Sequence, residues 1–141
     1  MIEEERRKAP KPLNHVSSNQ MQICVCVRKR PLFEKEVLGG EIDSVTCPNP
    51  KVLVHETKFK VDGITKYIQT SDFNFDNTYS EKESSHDLYK YQIKDLLPSV
   101  FKNGVVTLFA YGQTGSGKTF TISAATHDAV HDLFKLAPAG V

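Results

Sequence analysis

One eight-residue stretch, 112–119, constrains this 141-residue chain more than any other feature of its sequence. It reads Gly-Gln-Thr-Gly-Ser-Gly-Lys-Thr and fits the pattern G-x-x-x-x-G-K-[ST] at every fixed position. The apolar run Val-Val-Thr-Leu-Phe-Ala at 105–110 precedes it, a helix can begin at Lys118, and the segment from Phe120 to Leu136 is compatible with that helix. A buried strand, a glycine-rich turn and a helix in this order predict an α/β fold with a parallel sheet.

The residue types of this loop suit a triphosphate and its magnesium ion. Glycines allow backbone N–H groups to converge on phosphate oxygens without a Cβ in the way, and the N-terminus of the next helix adds partial positive charge. Lys118 is expected to reach the β- and γ-phosphates, and the Thr119 hydroxyl to bind Mg²⁺. The predicted site consists of Gly112, Gln113, Thr114, Gly115, Ser116, Gly117, Lys118 and Thr119.

Composition argues against several other classes of protein. Lys plus Arg is 18 and Asp plus Glu is 17, so no overall charge favours a nucleic acid or a membrane surface, and neither is expected as a partner. The charged N-terminus lacks the apolar segment of a secretory signal. Cys24, Cys26 and Cys47 form no C-x-x-C pair and are interpreted as reduced structural thiols of a cytosolic protein.

The first half of the chain predicts a tail followed by β-structure. Residues 1–20 are charged and contain two prolines, which favours a flexible tail, and order is expected from Met21. The apolar residues 22–27 predict a buried strand. Residues 42–46 and 51–56 flank Cys-Pro-Asn-Pro and predict a small antiparallel hairpin. Alternation at 72–76 predicts a half-buried strand.

The second half of the chain predicts two helical regions around the glycine-rich loop. Residues 84–102 carry an approximate helical stripe, with Ser84 or Ser85 as the cap and an interruption near Pro98. His127 and His131 lie four residues apart on the last helix, where two metal ligands would fit. No H-E-x-x-H pattern accompanies them, so surface histidines are favoured.

Three motifs occur in the order and at the spacing found in kinesin motor domains, which the chain therefore resembles over about residues 21–136. Phe-Ala-Tyr followed by the loop at 112–119 looks like the kinesin P-loop with its preceding aromatic residues. Arg28-Lys29-Arg30-Pro31 looks like the first-strand motif R-x-R-P, and Phe-Asn-Phe-Asp at 73–76 is similar to the strand motif F-x-F-D. The resemblance implies an α/β fold, an incomplete P-loop NTPase sheet with the small antiparallel hairpin appended. It also implies that residues 21–141 are the N-terminal part of the motor domain.

Within kinesins the chain most resembles the internal-motor family, kinesin-13, which depolymerises microtubules. Residues 25–32 are similar to that family's opening strand, and residues 53–62 resemble its extended second loop. That loop ends in a K-V-D tip, here Lys60, Val61 and Asp62, which in the family presses against tubulin and favours a curved protofilament. An ordinary solvated turn is the alternative for these three residues.

The resemblance implies ATP and Mg²⁺ as cofactors, tubulin as the partner and a cytoplasmic, microtubule-associated location. Arg28 and Pro31 match positions that border the adenine in kinesins, although a solvated basic strand end would also explain Arg28. The sheet strands that would flank and cover the predicted strand at 105–110 are not found in the sequence, so we expect exposed apolar surface and marginal stability.

The chain also departs from the kinesin pattern. The two switch motifs, N-x-x-S-S-R-S-H and D-x-x-G-x-E, do not occur in it, so it corresponds to about the first third of a motor. Two hypotheses follow: the N-terminal portion of an ATP-dependent depolymerising motor, or a truncated kinesin-like chain that binds nucleotide or tubulin without turnover. A small-molecule P-loop kinase is disfavoured because it would not explain Arg28 to Pro31 or the tip at Lys60 to Asp62.

Overall fold

A computed structural model describes residues 1–137 of the chain, so the last four residues of the predicted domain 21–141 lie outside the described part. The chain divides into two compact units. The first unit consists of Met1–His15 and Val25–Glu81, and the second of Val16–Cys24 and the residues from Lys82 onward. Strands lie in the first unit and most of the helix in the second, which confirms mixed α/β content.

The first unit is built on a three-stranded antiparallel sheet and a separate two-stranded parallel pair. In the sheet, β2 pairs with β3 and β3 with β4, and in the parallel pair β1 lies beside β5. Pairing of Val45 with Val54 and of Thr46 with Leu53 confirms the predicted hairpin. The elements are α1 (Ile2–Arg7), β1 (Cys26–Arg28), α2 (Glu34–Leu38), β2 (Val45–Thr46), β3 (Lys51–Phe59), β4 (Lys66–Asn74) and β5 (Asn77–Tyr79).

The first strand is shorter and less buried than its sequence predicts. Only Cys26–Arg28 are in β1, while Ile23 and Val25 are 81% and 52% exposed, so the predicted buried strand at 22–27 is wrong. The limit is set by its partner, since β5 offers three residues for pairing. Of the half-buried strand predicted at 72–76, residues 72–74 form the end of β4, and Phe75 and Asp76 lie in the link to the buried β5.

The N-terminal residues make specific contacts with the rest of the first unit. Arg6 forms an ion pair with Asp43 at 2.7 Å, and the Leu13 amide donates to the Asn49 carbonyl at 2.9 Å. The His15 ring stacks on Tyr79 with 4.5 Å between ring centroids. The predicted flexibility of residues 1–20 and the boundary at residue 21 stay predictions.

A histidine lies in the core of the antiparallel sheet. His55, in the central strand β3, is 2% exposed, and its two ring nitrogens lie 3.0 Å from the hydroxyls of Thr46 and Thr70 on the flanking strands. A hydroxyl both donates and accepts, so a neutral imidazole is satisfied by these two partners. Burial and, secondarily, the charge of Arg6 lower the pKa of His55.

We expect acidification to destabilise the first unit through His55. Its pKa is lower in the folded chain than in the unfolded chain, where it is about 6.5. The contribution of neutral His55 to stability is therefore complete at pH values above the pKa of the unfolded chain. It is lost as the pH falls below that pKa, because the unfolded chain then binds a proton that the folded chain does not. Urea unfolding followed by circular dichroism should show a lower midpoint at pH 5.5 than at pH 7.5. His55→Gln should show a smaller difference, and an equal difference would contradict this explanation.

The second unit is helical. Ser84 caps α3 as predicted, since its hydroxyl accepts from the Asp87 amide at 3.1 Å and the Asp87 carboxylate accepts from the Ser84 amide at 2.9 Å. α3 packs on α5, where the Tyr89 hydroxyl donates to Asp132 at 2.7 Å. Pro98 lies at the start of α4 instead of kinking a long helix. The helices are α3 (Ser85–Gln92), α4 (Leu97–Val100) and α5 (Lys118–Leu136), with 3₁₀ turns at Ser18–Gln20 and Lys94–Leu96.

The segment before the glycine-rich loop does not form the predicted strand. Residues 105–110 have no regular structure, and Val105 and Phe109 are 92% and 82% exposed. The prediction of a buried strand here is wrong because no strand within residues 1–137 pairs with this segment, and a strand needs neighbours for its backbone groups. The expectation of exposed apolar surface is confirmed, while marginal stability stays a prediction.

Candidate nucleotide-phosphate loop and hairpin tip

The loop at 112–119 is formed by glycines in conformations that other residues avoid. Gly115 and Gly117 have φ of 81° and 96°, in the left-handed region. A Cβ on Gly112 would lie 2.6 Å from the Ser116 hydroxyl, so a larger residue here would force the Ser116 side chain to move. The Ser116 amide donates to the Gln113 carbonyl at 3.2 Å and closes a turn. The result is a tight loop that leads directly into α5 at Lys118, as predicted.

Lys118 lies across this loop. Its ammonium donates to the carbonyls of Gly112 and Gln113, each at 2.7 Å. The positive charge is therefore already held beside the N-terminus of α5, where the helix dipole adds partial positive charge. An anion that approached the loop would meet both at once, which is the requirement for phosphate binding.

A magnesium-bound polyphosphate fits the chemistry of this loop. Thr119 lies in the first turn of α5 and is exposed, so its hydroxyl is accessible to an ion carried by the phosphates. Within residues 1–137 no group of three or more His, Cys, Asp or Glu side chains is arranged to hold a metal ion. His127 and His131 are exposed on α5, in agreement with the interpretation as surface histidines.

Arg28 and Pro31, the predicted neighbours of the adenine, lie at and just after the end of β1 in the first unit. Arg28 is half-buried, and burial lowers the pKa of its guanidinium. Its Cα is registered with that of Tyr79 in β5, and Pro31 is exposed. The glycine-rich loop belongs to the second unit, so Arg28 and Pro31 stay predictions as adenine contacts.

An ion pair that the sequence did not reveal orders the segment after β1. The Arg30 guanidinium donates two hydrogen bonds to the Glu36 carboxylate, at 2.8 and 2.7 Å, and lies 4.2 Å from the centre of the Phe33 ring. These bonds lower the pKa of Glu36 to about 2. A spacing of six residues outside one helix gives no pattern from which the pair could be predicted.

The predicted tip at Lys60 to Asp62 forms the turn between β3 and β4. The Lys60 amide donates to the Thr65 carbonyl at 2.8 Å, and the Gly63 amide donates to the Lys60 carbonyl at 2.9 Å. Gly63 has φ of 69°, as a turn after Asp62 requires. Val61 is fully exposed at the end of the hairpin. The three residues lie together on a protruding turn, and their role as a tubulin contact stays a prediction.

The mixed α/β elements and the glycine-rich loop before α5 together fit an incomplete P-loop NTPase fold. The sequence model of the kinesin motor domain family matches residues 28–137, which is more than half of the chain, and the chain therefore belongs to that family.

The similarity of the chain to a known protein supports this family assignment. The chain is 38% identical to a protein named diatom spindle kinesin-1, from Cylindrotheca fusiformis, over an alignment that covers 95% of the chain. It spans only 23% of that relative's length. Separately, the part of the chain that the structure describes contains no helix with the length and hydrophobicity of a membrane span.

Proposed function

We propose that the chain binds ATP with Mg²⁺ through residues 112–119 and acts as the nucleotide-binding part of a microtubule-associated kinesin motor. Kinesin motor domains bind ATP with Mg²⁺, and the chain belongs to their family. The observation that carries the proposal is the placement of Lys118 over a glycine-rich loop at the N-terminus of α5. Cytoplasmic microtubules are the proposed location, and tubulin the proposed partner.

In the proposed complex, both backbone and side-chain groups of the loop contact MgATP. Gly115 and Gly117 carry no Cβ that would hinder an anion, so their backbone N–H groups would donate to phosphate oxygens. Lys118 would exchange its two carbonyl partners for phosphate oxygens, which are stronger acceptors because they are charged. Thr119 would ligate Mg²⁺, which neutralises phosphate charge when bound. Arg28 and Pro31 are proposed as the adenine contacts.

The hairpin tip supports a narrower proposal, that the chain comes from a depolymerising motor of the kinesin-13 type. Lys60, Val61 and Asp62 form a protruding turn that a flat partner could contact. If this turn makes better contacts with curved than with straight tubulin, binding shifts tubulin toward the curved state by the difference in affinity. Depolymerisation would follow from that shift.

Hydrolysis of ATP needs groups beyond those that bind it. Neither switch motif occurs in the 141 residues, so the groups that orient water and support Mg²⁺ in the family are not supplied by this sequence. This observation favours a second candidate, a chain that binds nucleotide or tubulin without hydrolysis.

Two measurements on the 141-residue chain distinguish these candidates. We expect MgATP binding by equilibrium titration, without phosphate release above background when tubulin is added, since binding needs only the loop whereas hydrolysis needs the switches. Tubulin-stimulated phosphate release would instead support the enzyme. Absence of MgATP binding by a chain that retains its helical circular dichroism would contradict the first candidate, and absence of tubulin binding as well would contradict both.

A further inference from the structure

The last strand of the antiparallel sheet, β4, is paired along only one of its two edges. The strand order is β2-β3-β4, so β3 pairs with one edge, and no strand within residues 1–137 pairs with the other. All of its nine residues except Ile68 and Ser71 are exposed. The outer edge of β4 is therefore open to a further strand, and such edges pair with another chain unless the sequence prevents it.

Every second residue of β4 directs its backbone N–H and C=O away from β3, because these groups alternate between the two sides of an antiparallel strand. Just before β4, the Lys60 amide donates to the Thr65 carbonyl at 2.8 Å. Just after β4, the Phe75 amide donates to the Pro50 carbonyl at 3.0 Å. The odd-numbered residues of the strand therefore bond to β3. The outward groups belong to the even-numbered residues, which are Lys66, Ile68, Thr70, Asp72 and Asn74.

The two charged residues of β4 lie at equal distances from Gln69. Lys66 precedes Gln69 by three residues, Asp72 follows it by three, and the residues between them are uncharged. Two copies of β4 running antiparallel about Gln69 would place each Lys66 opposite the Asp72 of the other copy. A parallel pair in register would instead oppose Lys66 to Lys66 and Asp72 to Asp72, which is unfavourable. The charges of this edge are therefore complementary to a second, antiparallel copy of it.

Both charged side chains are accessible for these contacts. The Asp72 side chain is 58% exposed and accepts one hydrogen bond from the Lys51 ammonium, at 3.1 Å, whereas a carboxylate has about four acceptor positions. The Lys66 ammonium lies 5.5 Å from the centre of the Phe59 ring and forms no ion pair within residues 1–137. The net charge of +1 also causes little repulsion between two copies of the chain.

We propose that two copies of this chain associate through antiparallel pairing of β4 with β4, centred on Gln69. The resulting dimer has two-fold symmetry and a sheet that is continuous across both copies. It is a weak dimer, because one pair of strands buries less surface than a stable interface requires. The proposal goes beyond the proposed function and depends on neither nucleotide nor tubulin.

A charge exchange tests the pairing in the full 141-residue chain. Sedimentation velocity over a concentration series, with a reducing agent to prevent disulfides between copies, should show a reversible monomer–dimer equilibrium. Lys66→Glu and Asp72→Lys should each raise the dimer Kd at least about fivefold, because each variant opposes like charges at two symmetric places. The double variant should return to within about twofold of the unsubstituted chain, because the pair re-forms with its signs exchanged.

Lys58→Glu is the matched control for these substitutions. It makes the same change in net charge as Lys66→Glu, and the Lys58 side chain is 43% exposed. Lys58 lies on the central strand β3, opposite Tyr67, and not on the outer edge. This variant should dimerise as the unsubstituted chain does, and a loss equal to that of Lys66→Glu would mean that net charge alone governs association.

Amide hydrogen exchange tests the pairing without any substitution. The amides of Ile68 and Thr70 point to the outer edge, so their protection should rise as the concentration of the chain is raised. The amides of Gln69 and Ser71 already bond to β3 and should change little. This alternation along four consecutive residues is specific to a partner strand on β4.

Three results would overturn the proposal. The first is a chain that stays monomeric throughout the concentration series. The second is a dimer that forms without added protection at Ile68 and Thr70, which would assign association to another surface such as the exposed apolar residues 105–110. The third is a double variant that retains its circular dichroism but dimerises no better than Lys66→Glu or Asp72→Lys, since the two charges would then not face each other.

Discussion

Replacing Lys118 with alanine is expected to weaken MgATP binding by about 10- to 100-fold. A hydrogen bond to a charged group contributes about 1.5–3 kcal/mol, and each 1.4 kcal/mol corresponds to a tenfold change in affinity. Lys118 is the one side chain of the loop 112–119 that carries a positive charge. Backbone N–H groups and the N-terminus of α5 would remain, so some affinity should persist.

The structure adds a second reason for a large effect. Lys118 also bonds to the carbonyls of Gly112 and Gln113, so alanine removes the contacts that hold those carbonyls across the loop. Without these contacts the loop is less ordered before binding, so part of the binding free energy is used to order it. Loss of the cation and loosening of the loop therefore act in the same direction.

A matched control is available on the same helix. Lys135 lies in the last turn of α5, far along the helix from the loop, and Lys135→Ala makes the same change in net charge. Equilibrium titration with MgATP should show little change for Lys135→Ala and a large loss for Lys118→Ala, with equal helical circular dichroism. Equal affinity in Lys118→Ala and the unsubstituted chain would remove the basis of the ATP proposal.

Local chemistry explains which elements were predicted correctly. The turn and the start of α5 depend on residues within one short stretch: Gly115 and Gly117 supply left-handed backbone, and Lys118 begins the helix. The Ser84 cap is equally local, since its partner Asp87 is three residues away. Such features need no distant partner, and sequence reasoning recovers them.

Strands were predicted less well because a strand depends on its neighbours. Residues 105–110 have the composition of a buried strand, yet they are exposed without a partner in the described part of the chain. The converse occurs at 57–59 and 66–67, which are exposed and nevertheless paired between β3 and β4. With little burial at this end of the hairpin, these residues carry no alternation from which pairing could be inferred.

In the candidate site, too, contacts between residues close in sequence could be predicted, whereas features that depend on the wider fold could not. Asp62 before Gly63 predicts a turn, and the bonds from Asp62 to the next residues are of the local kind that sequence can suggest. The exposure of Ile64, by contrast, depends on the full course of the hairpin. The pair between Arg30 and Glu36 depends on the geometry of the segment between β1 and α2.

The largest expected loss of stability comes from replacing Tyr79 with alanine. Tyr79 ends β5, is 0% exposed and stacks on His15. Its carbonyl accepts from the Lys29 amide at 2.8 Å, just beyond the β1–β5 pairing. Removing a buried aromatic ring typically costs about 3–5 kcal/mol, because apolar contacts are lost and a cavity remains. That loss is comparable with the whole stability of a marginal domain, about 5 kcal/mol.

Hydrogen exchange measures this loss without requiring a cooperative unfolding transition. The Thr78 amide is buried and donates to the Asn49 side chain at 2.7 Å, so its protection reports opening of the first unit. We expect protection of this amide to fall by at least about 100-fold in Tyr79→Ala, the equivalent of about 3 kcal/mol. Tyr67→Ala is the control, because Tyr67 is 39% exposed on β4 of the same unit, and it should change protection by less than about tenfold. Similar protection of Thr78 in the two variants would mean that the buried Tyr79 ring does not stabilise the first unit.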